Sequence, residues 1–322
     1  MKILANDGIS ASGKEKLENA GFQVDTEKVE QDDLPQAIND KGYAALLVRS
    51  ATKVRKDLID ACPGLKFIGR GGVGVDNIDV EHAQEKGIEV VNTPGAPSQS
   101  VAELIIGHIF TISRSLQDAN RQMPEKGVDD FKSLKKKYGK GQELRGKTLG
   151  IIGFGRIGQF TAQYALGCGM KVVAHDPFVD QAELEVEVPG AQTVKVNVST
   201  ISKEELLQQS DVISLHVPKQ EDGSAVLGKE EIGKLKDGSI LVNAARGGVI
   251  DEDALLEGLD SGKLAGVGLD VFENEPTPRK DLLDHEKISL TPHIGAATKE
   301  AQERIGVELA DKIIQTLKPE AV

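Results

Sequence analysis

Short β-branched runs alternate with helix-like stretches along most of this chain of 322 residues. Four such runs come first, at residues 2–6, 43–50, 65–70 and 88–93. Six more follow, at residues 148–153, 171–176, 211–217, 239–245, 264–272 and 287–292. Strands separated by helices are typical of parallel sheets built from βαβ units. Two such series predict an α/β protein with two parallel-sheet βαβ domains.

The composition narrows the class of partner. The net charge is -12 and the pI is near 5.1, which argues against a surface that binds nucleic acid or an anionic membrane. The start of the chain has no signal-peptide pattern, and the apolar run at residues 104–112 is too short and too polar to span a bilayer. Cys62 and Cys168 lack the paired spacing of a metal site. We therefore expect a cytoplasmic protein without a metal.

The sequence GFGRIG at residues 153–158 follows a predicted strand and opens a predicted helix. In a dinucleotide-binding turn, Gly153 allows the tight turn, Gly155 lets the backbone approach a pyrophosphate, and Gly158 lets the helix pack against the strand. The next predicted strand ends at Asp176, where a carboxylate can accept hydrogen bonds from the adenosine ribose and repel the extra phosphate of NADP. A glycine turn alone is a weak signal, but strand, helix and acid together predict binding of NAD.

The segments between the strands are predicted in less detail. Residues 100–123 read as one long amphipathic helix, and the polar residues 124–145 after it read as an exposed arm. Residues 181–198 are predicted as a surface strand or loop. The last helix, over residues 298–317, is expected to pack back against the first sheet.

Two histidines remain open as the acid/base group. His108 lies on the apolar face of the long helix and is interpreted as a buried core histidine, whereas His216 and His293 both lie at strand ends. Arg246 and Glu275 follow two further strands. An arginine, a glutamate and a histidine at successive strand ends suit the oxidation of a 2-hydroxy acid, because they can bind a carboxylate and accept a hydroxyl proton.

Five motifs together resemble the D-isomer-specific 2-hydroxyacid dehydrogenase family over nearly the whole chain: GRGGVGVDNID at residues 69–79, GFGRIG at 153–158, NAARGGVIDE at 243–252, LDVFENEP at 269–276 and TPHIGAAT at 291–298. The resemblance implies that Arg246, Glu275 and His293 are catalytic. It also implies a Rossmann NAD-binding domain, residues 99–292, inserted into a flavodoxin-like substrate domain formed by residues 1–98 and 293–322.

The same resemblance implies which residues line the cofactor, and it moves His216 from candidate base to cofactor pocket. In addition to the glycines of the fingerprint, Gly153, Gly155 and Gly158, the implied cofactor residues are Val73, Arg156, Ile157, Asp176, His216, Ala244, Asp270, Gly295 and Ala296. The implied substrate residues are Arg49, Arg70, Gly72, Arg246 and His293. Taken without the resemblance, Arg49 and Arg70 would be ordinary surface arginines.

Within the family, the chain is most similar to the members that oxidise 3-phospho-D-glycerate, the first step of serine synthesis. Reduction of glyoxylate, hydroxypyruvate or another small 2-keto acid is the alternative activity, and an NADH-sensing corepressor is the alternative from another class. The resemblance also implies a homodimer. Because the sequence ends at Val322, we expect a short form without the C-terminal serine-binding domain of longer members.

Overall fold

The computed structural model describes residues 1–187 and 190–317, and the chain divides into two compact units. Unit 1 is Met1–Ser100 together with the chain from Ala296 onward, and unit 2 is Val101–Gly295. The boundaries expected from the sequence, after residues 98 and 292, lie close to these divisions. The roles of the two units stay predictions, and residues 318–322 of the expected substrate domain lie outside the described residues.

The strands are short, as the β-branched runs predict. In chain order they are β1 (Lys2–Ala5), β2 (Gln23–Asp25), β3 (Tyr43–Val48), β4 (Phe67–Arg70), β5 (Glu89–Asn92), β6 (Thr148–Ile152), β7 (Lys171–His175), β8 (Gln181–Val186), β9 (Val194–Ser199), β10 (Val212–Leu215), β11 (Ser239–Asn243), β12 (Leu264–Leu269) and β13 (Ile288–Leu290).

Helices connect most of these strands. In chain order they are α1 (Ala11–Asn19), α2 (Leu34–Lys41, preceded by a 3-10 turn at Gln31–Asp33), α3 (Lys56–Ala61), α4 (Val80–Glu85), α5 (Ser98–Ser113), α6 (Leu116–Lys126), α7 (Phe131–Tyr138), α8 (Arg156–Gly167), α9 (Lys203–Gln209), α10 (Lys229–Lys234), α11 (Glu252–Asp260), α12 (Lys280–Asp284) and α13 (Lys299–Thr316).

In the described part of unit 1, a parallel sheet has the strand order β2-β1-β3-β4-β5. The last helix, α13, begins after Thr298, whose side chain accepts a hydrogen bond from the Ala301 amide and so caps it. Ala310 and Ile313 of this helix lie in one buried cluster with Phe67 of β4. The expectation that the last helix packs against the first sheet is therefore confirmed.

In the described part of unit 2, a parallel sheet has the order β13-β12-β11-β10-β6-β7. Its central strands are buried, as expected for a sheet that helices cover on both faces. The strand order reverses between β6 and β10. Ligands of such sheets bind at the carboxyl ends of the strands beside this reversal, so the fold places the GFGRIG turn, which follows β6, at a binding crevice.

The structure corrects the prediction of one long helix after residue 100. Helix α5 ends at Ser113, and α6 begins at Leu116 because Ser115 between them adopts a left-handed backbone, with φ of 51°. The expected arm is also partly helical. Helix α6 continues through Pro124 to Lys126, and Tyr138 at the end of α7 donates a hydrogen bond of 2.8 Å to Asp118.

The segment predicted as a surface strand or loop at residues 181–198 contains the two antiparallel strands β8 and β9. They form a hairpin that packs beside β7 and α8, and its residues 188 and 189 lie outside the described residues. Across residues 1–187 and 190–317, the structure contains no helix that is long and apolar enough to cross a membrane.

Candidate active site

The GFGRIG turn uses its three glycines for different reasons. Gly153 has φ of 93°, and a Cβ there would lie 2.6 Å from the carbonyl oxygen of His216. A Cβ on Gly158 would lie 2.3 Å from the carbonyl oxygen of Gly153, so only glycine lets α8 begin this close to the turn. Gly155 instead faces open space, with no described atom within 4 Å of its Cβ position. The turn is thus closed on the protein side and open where a pyrophosphate would approach.

Asp176 is fixed beside this turn. Its Oδ2 accepts a hydrogen bond of 2.6 Å from the Phe154 amide, and its Oδ1 accepts one of 2.8 Å from the Phe178 amide. The predicted cofactor residues Arg156 and Ile157 open α8 immediately after Gly155. The structure therefore brings together the glycine turn, the helix start and the acid that the sequence indicated for NAD.

His216 lies at the same crevice, just after β10, and is half-buried. Its Nε2 is buried and makes no hydrogen bond within the part of the chain that the structure describes. Burial lowers the pKa of His216 to about 3, so the imidazole is neutral at ordinary pH. A group that stays neutral across the working range is a poor acid/base candidate, which leaves His293 as the better choice.

Arg246 lies in a turn after β11 that is held by the Asn243 side chain. Asn243 accepts a hydrogen bond of 3.0 Å from the Ala245 amide and donates one of 2.9 Å to the Arg246 carbonyl. The Arg246 guanidinium donates a bond of 2.7 Å to the Ala245 carbonyl and is half-buried. A Cβ on Gly247 would lie 1.8 Å from the Phe272 carbonyl oxygen. The arginine turn therefore packs directly on the segment after β12.

That segment carries Glu275, whose carboxylate contacts the His293 ring. His293 Nδ1 lies 2.7 Å from Glu275 Oε2, while Glu275 Oε1 accepts a hydrogen bond of 3.0 Å from the Phe272 amide. The two side chains are 47% and 36% exposed, so both are open to a ligand. Nε2 of His293 makes no hydrogen bond to any described residue, so this ring nitrogen is available to a ligand.

The backbone around His293 is held by Asp270. Oδ1 of this buried carboxylate accepts bonds of 2.6 Å from Thr291 Oγ1 and 2.8 Å from the Ile294 amide. Its Oδ2 accepts a bond of 2.9 Å from the Gly295 amide. His293 itself has a left-handed backbone, with φ of 53°. Asp270, predicted to line the cofactor, is thus also the residue that fixes this turn, and its contact with NAD stays a prediction.

Sequence reasoning missed the support that Glu252 gives to the Glu275 segment. Its Oε1 accepts a hydrogen bond of 3.0 Å from the Glu273 amide, and the residue is 7% exposed. Burial raises the pKa of this carboxyl. An acid in the first turn of a helix is common because of the helix dipole, so nothing in the sequence distinguished Glu252 from an ordinary α11 residue.

In unit 1, the predicted residues follow the ends of β3 and β4. The Arg70 guanidinium donates a hydrogen bond of 3.0 Å to the Gly71 carbonyl and lies over Gly72, whose φ is 141°. The Gly72 amide donates a bond of 2.8 Å to Thr93 Oγ1. The next residue, Val73, is 36% exposed. Arg70 and Gly72 are therefore brought into direct contact.

Arg49 borders a cavity of about 260 Å³ within unit 1. Gly71, Asp7 and Gln302 also line it. Asp7 accepts a hydrogen bond of 2.7 Å from the Arg49 amide, which fixes the backbone of the arginine. Gln302 donates a bond of 2.8 Å to the carbonyl of Ala296, another predicted cofactor residue. In the two described ranges, no group of three or more histidines, cysteines or acids is arranged to hold a metal.

Comparison with known proteins decides the family. Residues 106–295 match the model of the D-isomer specific 2-hydroxyacid dehydrogenase, NAD binding domain. The chain belongs to this family. It is 46% identical to a hydroxypyruvate reductase from Thermotoga maritima, covering 98% of both chains. It is 42% identical to a D-3-phosphoglycerate dehydrogenase from Methanocaldococcus jannaschii, covering 99% of this chain but 58% of the relative.

The fold comparison gives the same family. The holo form of D-mandelate dehydrogenase from Rhodotorula graminis superimposes with a TM-score of 0.84 at 26% identity, over 98% of this chain and 94% of that one. The protein is therefore an NAD-dependent oxidoreductase of the D-2-hydroxyacid dehydrogenase family. The sequence-based predictions of the family, the α/β fold with parallel sheets and NAD as cofactor are confirmed.

Proposed function

We propose that the enzyme oxidises 3-phospho-D-glycerate to 3-phosphohydroxypyruvate, with His293 as the acid/base group. The observation that carries the chemistry is the 2.7 Å pair between His293 Nδ1 and Glu275 Oε2, on the segment against which the Arg246 turn packs. A carboxylate on one ring nitrogen fixes the tautomer and orientation of the imidazole. It leaves Nε2 to accept the proton of the substrate hydroxyl.

In this reaction Arg246 binds the substrate carboxylate and the C2 oxygen, because a guanidinium offers donors in a fixed fork. His293 Nε2 removes the hydroxyl proton as the C2–O bond gains double-bond character. Glu275 stabilises the imidazolium that results. NAD, when bound, accepts the hydride from C2. The reverse reaction returns the proton from His293 to the alcohol.

Replacing His293 with alanine tests this assignment. We expect turnover to fall by about two to four orders of magnitude, since general acid/base catalysis contributes that much, while NAD binding measured by fluorescence titration stays near normal. Glu275→Gln should do less damage, because an amide can still orient the ring. Near-normal turnover in His293→Ala would overturn the assignment, whereas a wild-type protein that binds NADH but turns over no 2-hydroxy acid would favour the corepressor-like alternative.

The phosphate is the part of the proposed substrate that needs further cations. Desolvating a phosphate dianion without charged partners is costly, whereas an unphosphorylated 2-keto acid needs only a carboxylate clamp. Arg49 at the unit 1 cavity and Arg70 at the β4 turn are the proposed phosphate contacts. Relatives named D-3-phosphoglycerate dehydrogenase, 38% to 42% identical, support this choice.

Reduction of hydroxypyruvate is the second candidate. The relative at 46% identity carries that name and is matched along 98% of its length, which specifically favours it. Both candidates use a three-carbon acid and the same acid/base pair, so only the phosphate separates them. Glyoxylate, a still smaller keto acid, belongs with this second candidate.

The ratio of kcat/KM on 3-phosphoglycerate to kcat/KM on an unphosphorylated substrate separates the two candidates. For Arg49→Ala and Arg70→Ala, we expect kcat/KM on 3-phosphoglycerate to fall about ten- to a hundredfold, since a charged hydrogen bond contributes about 1.5 to 3 kcal/mol. Activity on D-glycerate and hydroxypyruvate should change much less. Lys53→Ala, a nearby lysine whose backbone amide and carbonyl bond to Gln31, serves as the control. If kcat/KM falls equally on the phosphorylated and the unphosphorylated substrates, or falls on neither, hydroxypyruvate becomes the proposed substrate.

We also propose a cytoplasmic homodimer. Apolar side chains are exposed along the end of α5, α6 and the arm, where the family resemblance places a partner: Phe110, Leu116, Met123, Val128 and Phe131. Val128 is 96% exposed, which is costly for a branched aliphatic side chain left in water. Light scattering of wild type and of a Leu116→Glu, Phe131→Glu double variant tests this, since a monomer in both would refute it.

A further inference from the structure

His108 is a buried histidine in unit 2 that the proposed reaction does not use. It lies on α5 and is 3% exposed. Its Nδ1 lies 2.8 Å from Ser289 Oγ, and its Nε2 lies 3.1 Å from Thr291 Oγ1. Thr291 in turn contacts Asp270, the carboxylate that holds the turn around His293. The imidazole therefore lies at the far end of a chain of hydrogen bonds that reaches the Ile294 and Gly295 amides, next to the candidate base.

The direction of each bond in this chain follows from the carboxylate. An ionised Asp270 can only accept, so Thr291 must donate its single hydroxyl proton to it across 2.6 Å. Thr291 Oγ1 can then only accept from His108, which requires a proton on His108 Nε2. Burial lowers the pKa of His108 and so favours the neutral ring, whose Nδ1 accepts from the Ser289 hydroxyl. Every polar atom of the chain is satisfied in this single arrangement.

The fold makes room for this imidazole. A Cβ on Gly268 would lie 2.8 Å from the Cβ of His108, so glycine on β12 is what lets α5 approach the strand this closely. Asp270 follows two residues later along the same segment. A buried polar ring costs more than an apolar side chain in the same place unless it is fully hydrogen-bonded. Packing alone therefore does not account for a histidine here.

We propose that His108 is a positioning residue for the acid/base group: its Nε2–H orders Thr291, Thr291 orders Asp270, and Asp270 holds the Ile294 and Gly295 amides that fix the left-handed backbone of His293. This inference rests on the proposed role of His293. His108 contacts neither substrate nor cofactor in this scheme. Its contribution is to keep His293 Nδ1 at Glu275 and Nε2 in line for proton transfer.

The tautomer can be measured without any activity. In protein labelled with ¹⁵N-histidine, the His108 ring should show a protonated Nε2 and an unprotonated Nδ1, unchanged between pH 8 and pH 5.5. The signal is identified by its loss in His108→Gln. A proton on Nδ1, or titration of this ring within that range, would overturn the proposed chain even if His293 proves to be catalytic.

Kinetics test the positioning role. His108→Leu removes the donor to Thr291. We expect kcat to fall about tenfold or more, because a small displacement of a reacting group strongly slows the chemical step. The KM for NAD should change little. His108→Gln should recover most of kcat, since its amide can donate to Thr291 from nearly the same place as Nε2. Thr291→Val, which breaks the chain at the next link, should match His108→Leu and provides the test if that variant does not fold.

Ile109→Val is the matched control, because Ile109 is buried on the same helix but lies outside the hydrogen-bond chain. It should lower the unfolding midpoint and leave kcat unchanged. If His108→Leu and Ile109→Val change stability and kcat alike, His108 is a packing residue and the proposal fails. If instead His293→Ala retains turnover, the proposed function fails, and the tautomer measurement still reports on the hydrogen-bond chain.

Discussion

The tripeptide Arg-Gly-Gly occurs at a strand end in each unit, and the two copies use glycine differently. In unit 1, at residues 70–72, a Cβ on Gly72 would lie 1.5 Å from Nη1 of Arg70, the end of a flexible side chain. In unit 2, at residues 246–248, a Cβ on Gly247 would lie 1.8 Å from the Phe272 carbonyl oxygen, which is backbone. Both arginines donate to a neighbouring carbonyl, at 3.0 Å from Arg70 and 2.7 Å from Arg246.

The difference separates two kinds of site. The unit 1 turn makes room for its own arginine, so its geometry can adjust when the arginine moves. The unit 2 turn makes room for the segment that carries Glu275, so the position of Arg246 and the position of the glutamate are fixed together. We infer that the unit 2 turn is rigid and that the unit 1 turn is adaptable.

The largest expected effect comes from Gly247→Ala. A methyl group there meets backbone that cannot rotate away, so we expect a loss of about 3 kcal/mol or more in the free energy of unfolding, the upper end for overpacking. Activity should fall on every substrate, because Arg246 and Glu275 are displaced together. Chemical denaturation and kcat on two substrates measure this.

Gly233→Ala is the control for that change. Gly233 lies in α10, and no described atom lies within 4 Å of its Cβ position, so alanine there should be neutral or slightly stabilising. A Gly247→Ala protein as stable as this control would show that the segment after β12 yields easily, and the contrast between the two turns would disappear.

Acid pH should destabilise unit 2 more than unit 1, by a smaller amount than Gly247→Ala does. Unit 2 contains His216, whose pKa burial lowers to about 3, and the buried His108, whose pKa is also lowered. A histidine with a lowered pKa binds a proton more readily in the unfolded chain than in the folded one. Protonation therefore favours unfolding, so the free energy of unfolding is highest above pH 6.5 and decreases as the pH falls toward 3. For His216 we expect about 2 kcal/mol lost between pH 6.5 and pH 5.

Urea unfolding at pH 7 and pH 5 measures that loss, and His216→Gln should reduce it. In unit 1 the histidine is His82, which lies at the surface with its Nε2 3.0 Å from Asp60 Oδ1. His82→Gln is thus the control. Equal acid sensitivity of the two variants would contradict the assignment of the acid-labile group to unit 2.

Much of this fold was predictable because the spacing of apolar residues along a strand or helix indicates which side chains are buried. The βαβ alternation predicted both parallel sheets, and the last helix was expected to pack against the first sheet, where the structure places it beside Phe67. The break between α5 and α6 was not predictable, since Ser115 adopts a left-handed backbone that serine rarely takes, and no local pattern marks it. The predicted end of the helix before Pro124 was also wrong, because this proline lies inside α6 and does not end it.

The site was predictable only where a residue type has a fixed chemical use. Glycines at 153–158 and the acid at 176 have such uses, and the structure places them together. Sequence alone left His216 and His293 as alternatives, and the structure places His293 Nδ1 2.7 Å from Glu275 Oε2. The support from Glu252, Thr291 and His108 could not be predicted, because each depends on contacts between residues distant in the chain.

The smallest expected effect is that of Gly72→Ala, and it tests whether the unit 1 turn is adaptable. The added methyl group collides with the Arg70 guanidinium and strains a backbone with φ of 141°. Because the side chain can move aside, we expect a loss of about 1 kcal/mol in the free energy of unfolding, mostly from the backbone. Gly64→Ala, with open space around its Cβ position, is the matched control in the same unit.

The displaced arginine should raise KM for 3-phosphoglycerate and leave kcat and the KM for hydroxypyruvate nearly unchanged. If Gly72→Ala instead destabilises the protein as much as Gly247→Ala does, or lowers kcat on both substrates, the unit 1 turn is as rigid as the unit 2 turn. The two Arg-Gly-Gly segments would then use glycine in the same way.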